Sequence, residues 1–413
     1  MKVNKSYPFA FVYFFVNAVG LPFGLLYTTI LTPLFYMWIV IKGKRIVIFK
    51  FLVFLTPFLI NHIVNGVDSY VYAKSVLLFF TVYIFCYAFY TLITISDVLG
   101  KILEKLLISN FILTLIALVC LVMPYKYLFW GNWSYSTGGV SINALPRLTL
   151  FTYEPSYYAT LIVPIFGFYF SNFVLARNRA TFKMLLMIAL PLVLSLSMGV
   201  ISGLAISISI LFLLNVSRVF TSKKLMFSFS ASVVVCFITL VLLLVFYRDN
   251  PIFLRAAAFL AGDDQSGRGR TTEAFNLSYL IAKEKSIWWG VGPGQLKIIG
   301  DPIINDFYHY LPTQGQVSIP NAFAETLALF GIAGVSVRFL LEVWLFYKTK
   351  VLNNYYRTLL FFYIFVYQFT GSFTTNIAEY VIWILAFTNI FPQFDKKPII
   401  DEFQVELARR GLK

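Results

Sequence analysis

Few side chains in this sequence can do acid–base or phosphate chemistry, and they fall in a handful of segments. RLTLFTYEPSYYA places Arg147 seven residues before Glu154, which opens an apolar run. Followed by Pro155, a favoured first-turn residue, Glu154 suits a helix N-terminus, where it complements the dipole and pairs with a nearby base. The same carboxylate, held at a membrane surface where ionisable groups are costly, also suits a general base. QSGRGRTTEAF supplies Arg268 and Arg270 in a Gly-rich turn. Guanidinium forks grip phosphate through two oxygens, and glycine lets backbone approach an anion; the plain alternative is a pair of solvated loop cations. His309, between Tyr308 and Tyr310, is a general base, an anion donor or a surface histidine. PNAFAETLALFGIAG begins another apolar run with Asn321, placed to cap a helix, and Glu325 one turn deeper, an acid without an evident partner. Gly331 and Gly334 permit close helix packing. Glu379 reads equally as a functional acid or as a hydrogen-bond partner of Thr374, Thr375 or Asn376, while His62 at a span end reads as structural.

The elements that must hold these residues are membrane helices. The 413 residues are 59% hydrophobic and 12% charged, with mean hydropathy +0.80. A soluble domain needs more charge, and continuous apolar runs in lipid must be helical so that the backbone satisfies itself. About twelve spans are expected, at 8–21, 23–41, 46–62, 71–95, 106–123, 151–174, 184–199, 201–217, 225–247, 322–346, 358–374 and 377–393. Two of these divisions rest on tight hairpins at Gly20–Pro22 and near Met198–Gly203. Lys2 and Lys5 ahead of the first run suit a retained first helix better than a cleaved leader.

With both ends inside, basic residues gather in the inner segments: Lys42, Lys44 and Arg45; Lys101 and Lys105; Arg177, Arg179 and Lys183; Lys348, Lys350 and Arg357. Arg338 is read as close to an inner helix end. Lys74, Lys126, Arg147 and seven residues of one long segment face outward, so every short loop obeys the positive-inside rule. The net charge of +15 therefore reflects topology, and no nucleic-acid partner is expected. The chain divides into helices 1–9 over 1–247, a large outer loop over 248–321, helices 10–12 over 322–394 and an inner tail over 395–413. A second outer loop, 124–147, is rich in Trp, Tyr, Ser and Gly. Within the large loop, 271–285 reads as a short helix starting near Thr271 or Thr272, and Trp288 and Trp289 suit the membrane interface.

IWWGVGPGQL lacks the Lys-Ser/Thr pair of a nucleotide loop and the strand–helix unit of a dinucleotide fold, so it reads as a structural turn. Cys86, Cys120 and Cys236 all lie in apolar runs and read as core residues. No clustered acids suggest a metal cage, and no cofactor is expected.

As an ordered set, these segments resemble the O-antigen polymerase and O-antigen ligase superfamily of bacterial envelope proteins. The resemblance rests on Arg147 with EPSYYA (154–159), LSLSMG (194–199), Arg270, WWGVGPG (288–294) and NAFAETLALFGIAG (321–334). Met198 stands where the family often has Arg, and Pro320 where the ligases typically have His. The resemblance implies an all-α polytopic membrane protein with a GT-C-like glycosyltransferase architecture, in the bacterial inner membrane with both termini cytoplasmic and the large loop periplasmic. It implies a polymerase that moves a growing glycan from undecaprenyl pyrophosphate to a lipid-linked repeat unit. Its partners would be that lipid-linked oligosaccharide, membrane lipid and a chain-length regulator protein. Arg147, Arg268 and Arg270 would then meet phosphate, Asn321 and Glu325 would line the substrate site, and Glu154 or His309 would take the acceptor's proton. A ligase that caps lipid A core, and a polysaccharide transporter or flippase, are the competing readings.

Overall fold

The computed structural model describes residues 27–43, 46–95, 99–131, 135–137, 140–142, 146–176, 179–216, 265–308 and 318–396. The expected spans at 8–21 and 225–247, His309 and nearly all of the tail lie outside these residues.

The described chain is helical apart from short strand pairs. Its helices are α1 (Tyr27–Ile41), α2 (Ile46–Val64), α3 (Ser69–Ile95), α4 (Leu99–Cys120), α5 (Pro155–Ala176), α6 (Arg179–Leu194) and α7 (Met198–Leu213). They continue with α8 (Gln265–Arg270), α9 (Thr272–Lys283), α10 (Asp301–Tyr308), α11 (Ala322–Lys348), α12 (Tyr355–Tyr367) and α13 (Ile377–Phe387). Among the described residues five segments are long and apolar enough to cross a membrane: Val47–Val64, Ser69–Thr94, Leu99–Cys120, Pro155–Leu175 and Ala322–Lys348. Leu31–Ile41, Met198–Leu213 and Ile377–Phe387 are shorter apolar helices. The result is a multi-pass, mostly helical membrane protein.

Between α4 and α5 the chain forms two small antiparallel pairs. Strand β1 (Trp130–Gly131) pairs with β4 (Arg147–Leu148), and β2 (Tyr135–Thr137) pairs with β3 (Val140–Ile142). The expected outer loop over 124–147 therefore has strand structure of its own. The β1–β4 pair brings Arg147 back beside the top of α4, where Trp130 Nε1 donates to Ala117 O at 2.7 Å.

The core is aromatic. α12 packs between α7 and α13 and also touches α5. Tyr356, Tyr363, Phe85, Phe89 and Phe394 are fully buried there. Outward faces of α2 and α4 expose Phe49, Leu52, Val53, Ile112, Leu115 and Ile116, an apolar surface suited to lipid.

α11 is broken. Gly331 adopts φ 65° and ψ −164°, so the expected span over 322–346 becomes two arms. On a straight helix, residues sixteen apart stand about 24 Å from each other. Here Arg338 Nη1 reaches Ala322 O at 3.3 Å and Thr326 Oγ1 at 3.1 Å, so the arms fold towards one another.

The break frees backbone groups, and the IWWGVG turn satisfies them. Val291 N and Gly292 N donate to Ala328 O and Leu329 O, while Ile332 N and Ala333 N donate to Ile287 O and Trp288 O, all at 2.9–3.0 Å. This approach is backbone on backbone: a Cβ on Gly331 would strike Trp288, and one on Gly290 would strike Leu329. His62 locks the turn from α2. Its Nε2 bonds Trp289 O at 2.7 Å, and its Nδ1 pairs with the Tyr72 hydroxyl at 2.9 Å. The structural reading of His62 and of this turn is thus borne out.

Arg338, read as close to an inner helix end, and Arg357, read in an inner segment, both make buried structural contacts. Arg338 is paired inside the helix bundle. Arg357 is buried on carbonyls at the ends of α11 and α13, donating to Thr349 O at 2.7 Å and Ala386 O at 2.8 Å. A guanidinium there answers the negative helix ends.

Candidate functional site

Glu154 stands immediately before α5, with Pro155 as the first helical residue. Its carbonyl accepts from the Thr152 hydroxyl at 2.9 Å and from Tyr158 N at 3.1 Å, which fixes the turn. Its Oε1 accepts from the Ser156 hydroxyl and lies 3.8 Å from Arg270 Nη2. No described donor bonds Oε2. Both side chains keep about a third of their surface exposed, 33% for Glu154 and 34% for Arg270. The two residues are 116 positions apart in sequence, so folding alone creates this pair.

Arg270 ends α8, which is helical where the sequence suggests a Gly-rich turn. Thr271 follows as the N-cap position of α9, in agreement with the expected start. Arg268, two residues earlier, faces another partner: its Nε lies 3.4 Å from Glu273 Oε1, and Tyr308 donates to Glu273 Oε2 at 2.9 Å. With half its side chain exposed, Arg268 forms a surface pair of small energetic weight.

Asn321 is buried, and its amide is fully occupied. Oδ1 caps α11 by accepting from Ala324 N at 2.8 Å, as the sequence suggests. Nδ2 donates to Arg270 O at 2.8 Å and to Phe369 O at 2.7 Å. It therefore clasps the Arg270 backbone to the end of α12. Glu325, expected to be unpaired, accepts from Thr374 N at 2.7 Å in the link between α12 and α13.

Arg147 does not touch Glu154 or Arg270 in any described contact. Its Nε donates to Ser195 O at 3.1 Å, at the C-terminal end of α6. LSLSMG is the joint between α6 and α7, with Leu196 at φ 47° and the Ser195 hydroxyl bonded to Leu192 O at 2.6 Å. Gly199, at the start of α7, packs against the Tyr367 ring. Arg147 thus reaches the site's wall through this joint.

Two groups escape sequence reasoning. Tyr367, buried on α12, stacks on Tyr363 and lies beside Gly199 and Gly371. A tyrosine inside an aromatic helix gives no signal in sequence. The second is an ionic network. Arg338 binds Glu342 at 3.1 Å, Gln368 at 2.9 Å and Glu379. Gln368 Nε2 donates to Glu342 Oε2 at 2.9 Å, and Ser372 donates to Glu379 Oε2 at 2.6 Å. Glu379 therefore pairs with Arg338 and Ser372; of its three expected partners, only Asn376 joins it, through the Ser372 hydroxyl.

The arrangement sets one cation beside one partly exposed carboxylate at the start of α5. An anion meeting the exposed side of Arg270 would gain the fork, while Glu154 Oε2 carries no hydrogen bond from a described donor. Residues 183–339 match the family model described as O-antigen ligase. The match agrees with the superfamily named above, and it spans less than half of the chain. It includes Arg268, Arg270, Asn321, Glu325 and Arg338, and leaves out Arg147 and Glu154. A search of curated proteins found no match.

Proposed function

Taking the O-antigen ligase-type segment as premise, we propose that this membrane enzyme is a glycosyltransferase of the polymerase kind. It transfers a growing glycan from undecaprenyl pyrophosphate to a lipid-linked repeat unit on the periplasmic side of the bacterial inner membrane. The Arg270–Glu154 pair carries this reading. In the reaction an acceptor hydroxyl attacks the anomeric carbon of the donor sugar. The bond from that carbon to the pyrophosphate oxygen breaks, and the acceptor's proton passes to Glu154. Negative charge grows on the departing lipid pyrophosphate, where Arg270 stabilises it. The lipid-linked donor is already activated, so no nucleotide site is needed. Arg147 and Arg268 would extend the anionic path, and Glu325 would hold the Thr374 segment beside it.

Transfer to lipid A core, the ligase reaction, is the second reading, supported by the description of the matching family. Pro320 in the position where ligases typically carry His supports the polymerase instead. A host lacking its own polymerase separates them. Restored ladders of chain length are expected, and full capping of core without ladders would favour the ligase. Arg270→Ala should reduce product about 100-fold or more at equal membrane abundance, and Arg270→Lys should recover only part, because a point charge lacks the fork.

A further inference from the structure

We infer that Arg338 is a positioning residue: acting through the folded first arm of α11, it fixes the separation of Arg270 from Glu154. On the Arg270 side each link is a named contact, and Glu154 is held separately by α5. Arg338 sits on the second arm, seven residues beyond the break at Gly331. Its Nη1 holds the first arm at Ala322 O and Thr326 Oγ1. Its Nη2 is tied to Glu379 on α13, and its Nε to Gln368 just past α12 and to Glu342 on its own arm. One guanidinium thus joins both arms of α11 to the ends of two other helices. The first arm begins at Asn321, whose Nδ2 grips Arg270 O. Ala322 N and Phe323 N donate to Gly371 O and Gln368 O at 3.2 Å, so the arm's N-terminus is seated on the same stretch that anchors Arg338.

The glycine break makes this fixing necessary. With no helical continuity through Gly331, the angle between the arms is set by the IWWGVG stitches and by Arg338. A buried cation with two carboxylates is an expensive arrangement, and removing one member strands the others. A hydrophobic contact between the arms would be cheaper but would not set direction, whereas the five donors of a guanidinium fix it. The inference takes Arg270 and Glu154 as the working site and so rests on the reading above.

The test measures the gap directly. The full-length protein, with Cys86, Cys120 and Cys236 replaced by serine, carries spin labels at Y153C and T272C, two exposed positions beside Glu154 and Arg270. Pulsed electron resonance should give one narrow distance distribution. Arg338→Gln and Glu379→Gln should both lengthen and broaden it, and Arg338→Lys should restore it in part. Thr326→Val removes one contact between the arms without stranding a charge, and it should move the distance less but in the same direction. If Arg338→Gln cannot be purified, Arg338→Lys and Thr326→Val decide. Distances unchanged from the parent in the variants that purify would overturn the inference. Polymer yield from Arg270→Ala, measured alongside, separates the two ideas: normal polymer with a shifted Arg338 distance would sink the functional reading and leave the positioning role standing.

Discussion

At 3.8 Å the Arg270–Glu154 pair is looser than a charge-assisted hydrogen bond of about 2.7–2.9 Å. A partly exposed pair at this spacing gains little stability. It is a poor strut, and it leaves the Arg270 fork partly exposed to an arriving anion. Ser156 steadies one oxygen of Glu154 and leaves the other open. Glu154→Gln keeps the shape and the Ser156 contact but loses the basicity. With purified protein and a lipid-linked repeat unit, turnover should fall about 100- to 10,000-fold while KM stays near the parent value. Unchanged turnover would pass the base's role to another group, His309 first. Glu154 and Arg270 were legible because charge is rare in such a chain. Arg338 was misread because only Glu342, four residues on, is a local partner, while Glu379 and Gln368 lie on α13 and beyond α12.

The break in α11 belongs to the element scale. Ala322–Lys348 passes the length and hydropathy criteria for a single membrane helix, and its two glycines look ordinary. Helix periodicity cannot register a break whose cause lies about forty residues upstream. Only the closeness of Trp288 and Leu329 to Gly331 and Gly290 makes the left-handed backbone at both glycines meaningful. Gly331→Ala must place a methyl group against the Trp288 carbonyl in a backbone conformation costly for alanine. It should destabilise the fold by about 3 kcal/mol or more, read as an earlier thermal unfolding transition in detergent. Gly43 also has a positive φ but open space around a would-be Cβ, so Gly43→Ala should cost less. Equal midpoints for the two variants would contradict this account of the joint.

For the molecule as a whole, hydropathy located the described helices to within several residues. The charge pattern supplied an orientation that alkaline phosphatase fusions can check. Fusions after Glu284 should be active and fusions after Thr181 inactive, because the enzyme matures only outside the cytoplasm. An inactive fusion after Glu284 would place Arg270 on the wrong side for a periplasmic reaction. The sequence could not supply the way separate helix ends converge, because that depends on packing among aromatic faces with no distinctive spacing.

The stitching of residues 287–292 to residues 328–333 bears on how such a protein can be assembled or recombined. Four main-chain bonds that a continuous helix would supply for itself are here lent by a segment outside the helix. Within hydrocarbon each orphaned group would cost several kcal/mol. Residues 287–292 and the helix after them are therefore one structural unit. A chimaera that exchanges one for a relative's version without the other would leave these amides and carbonyls without their partners and should accumulate less than the parent in the membrane.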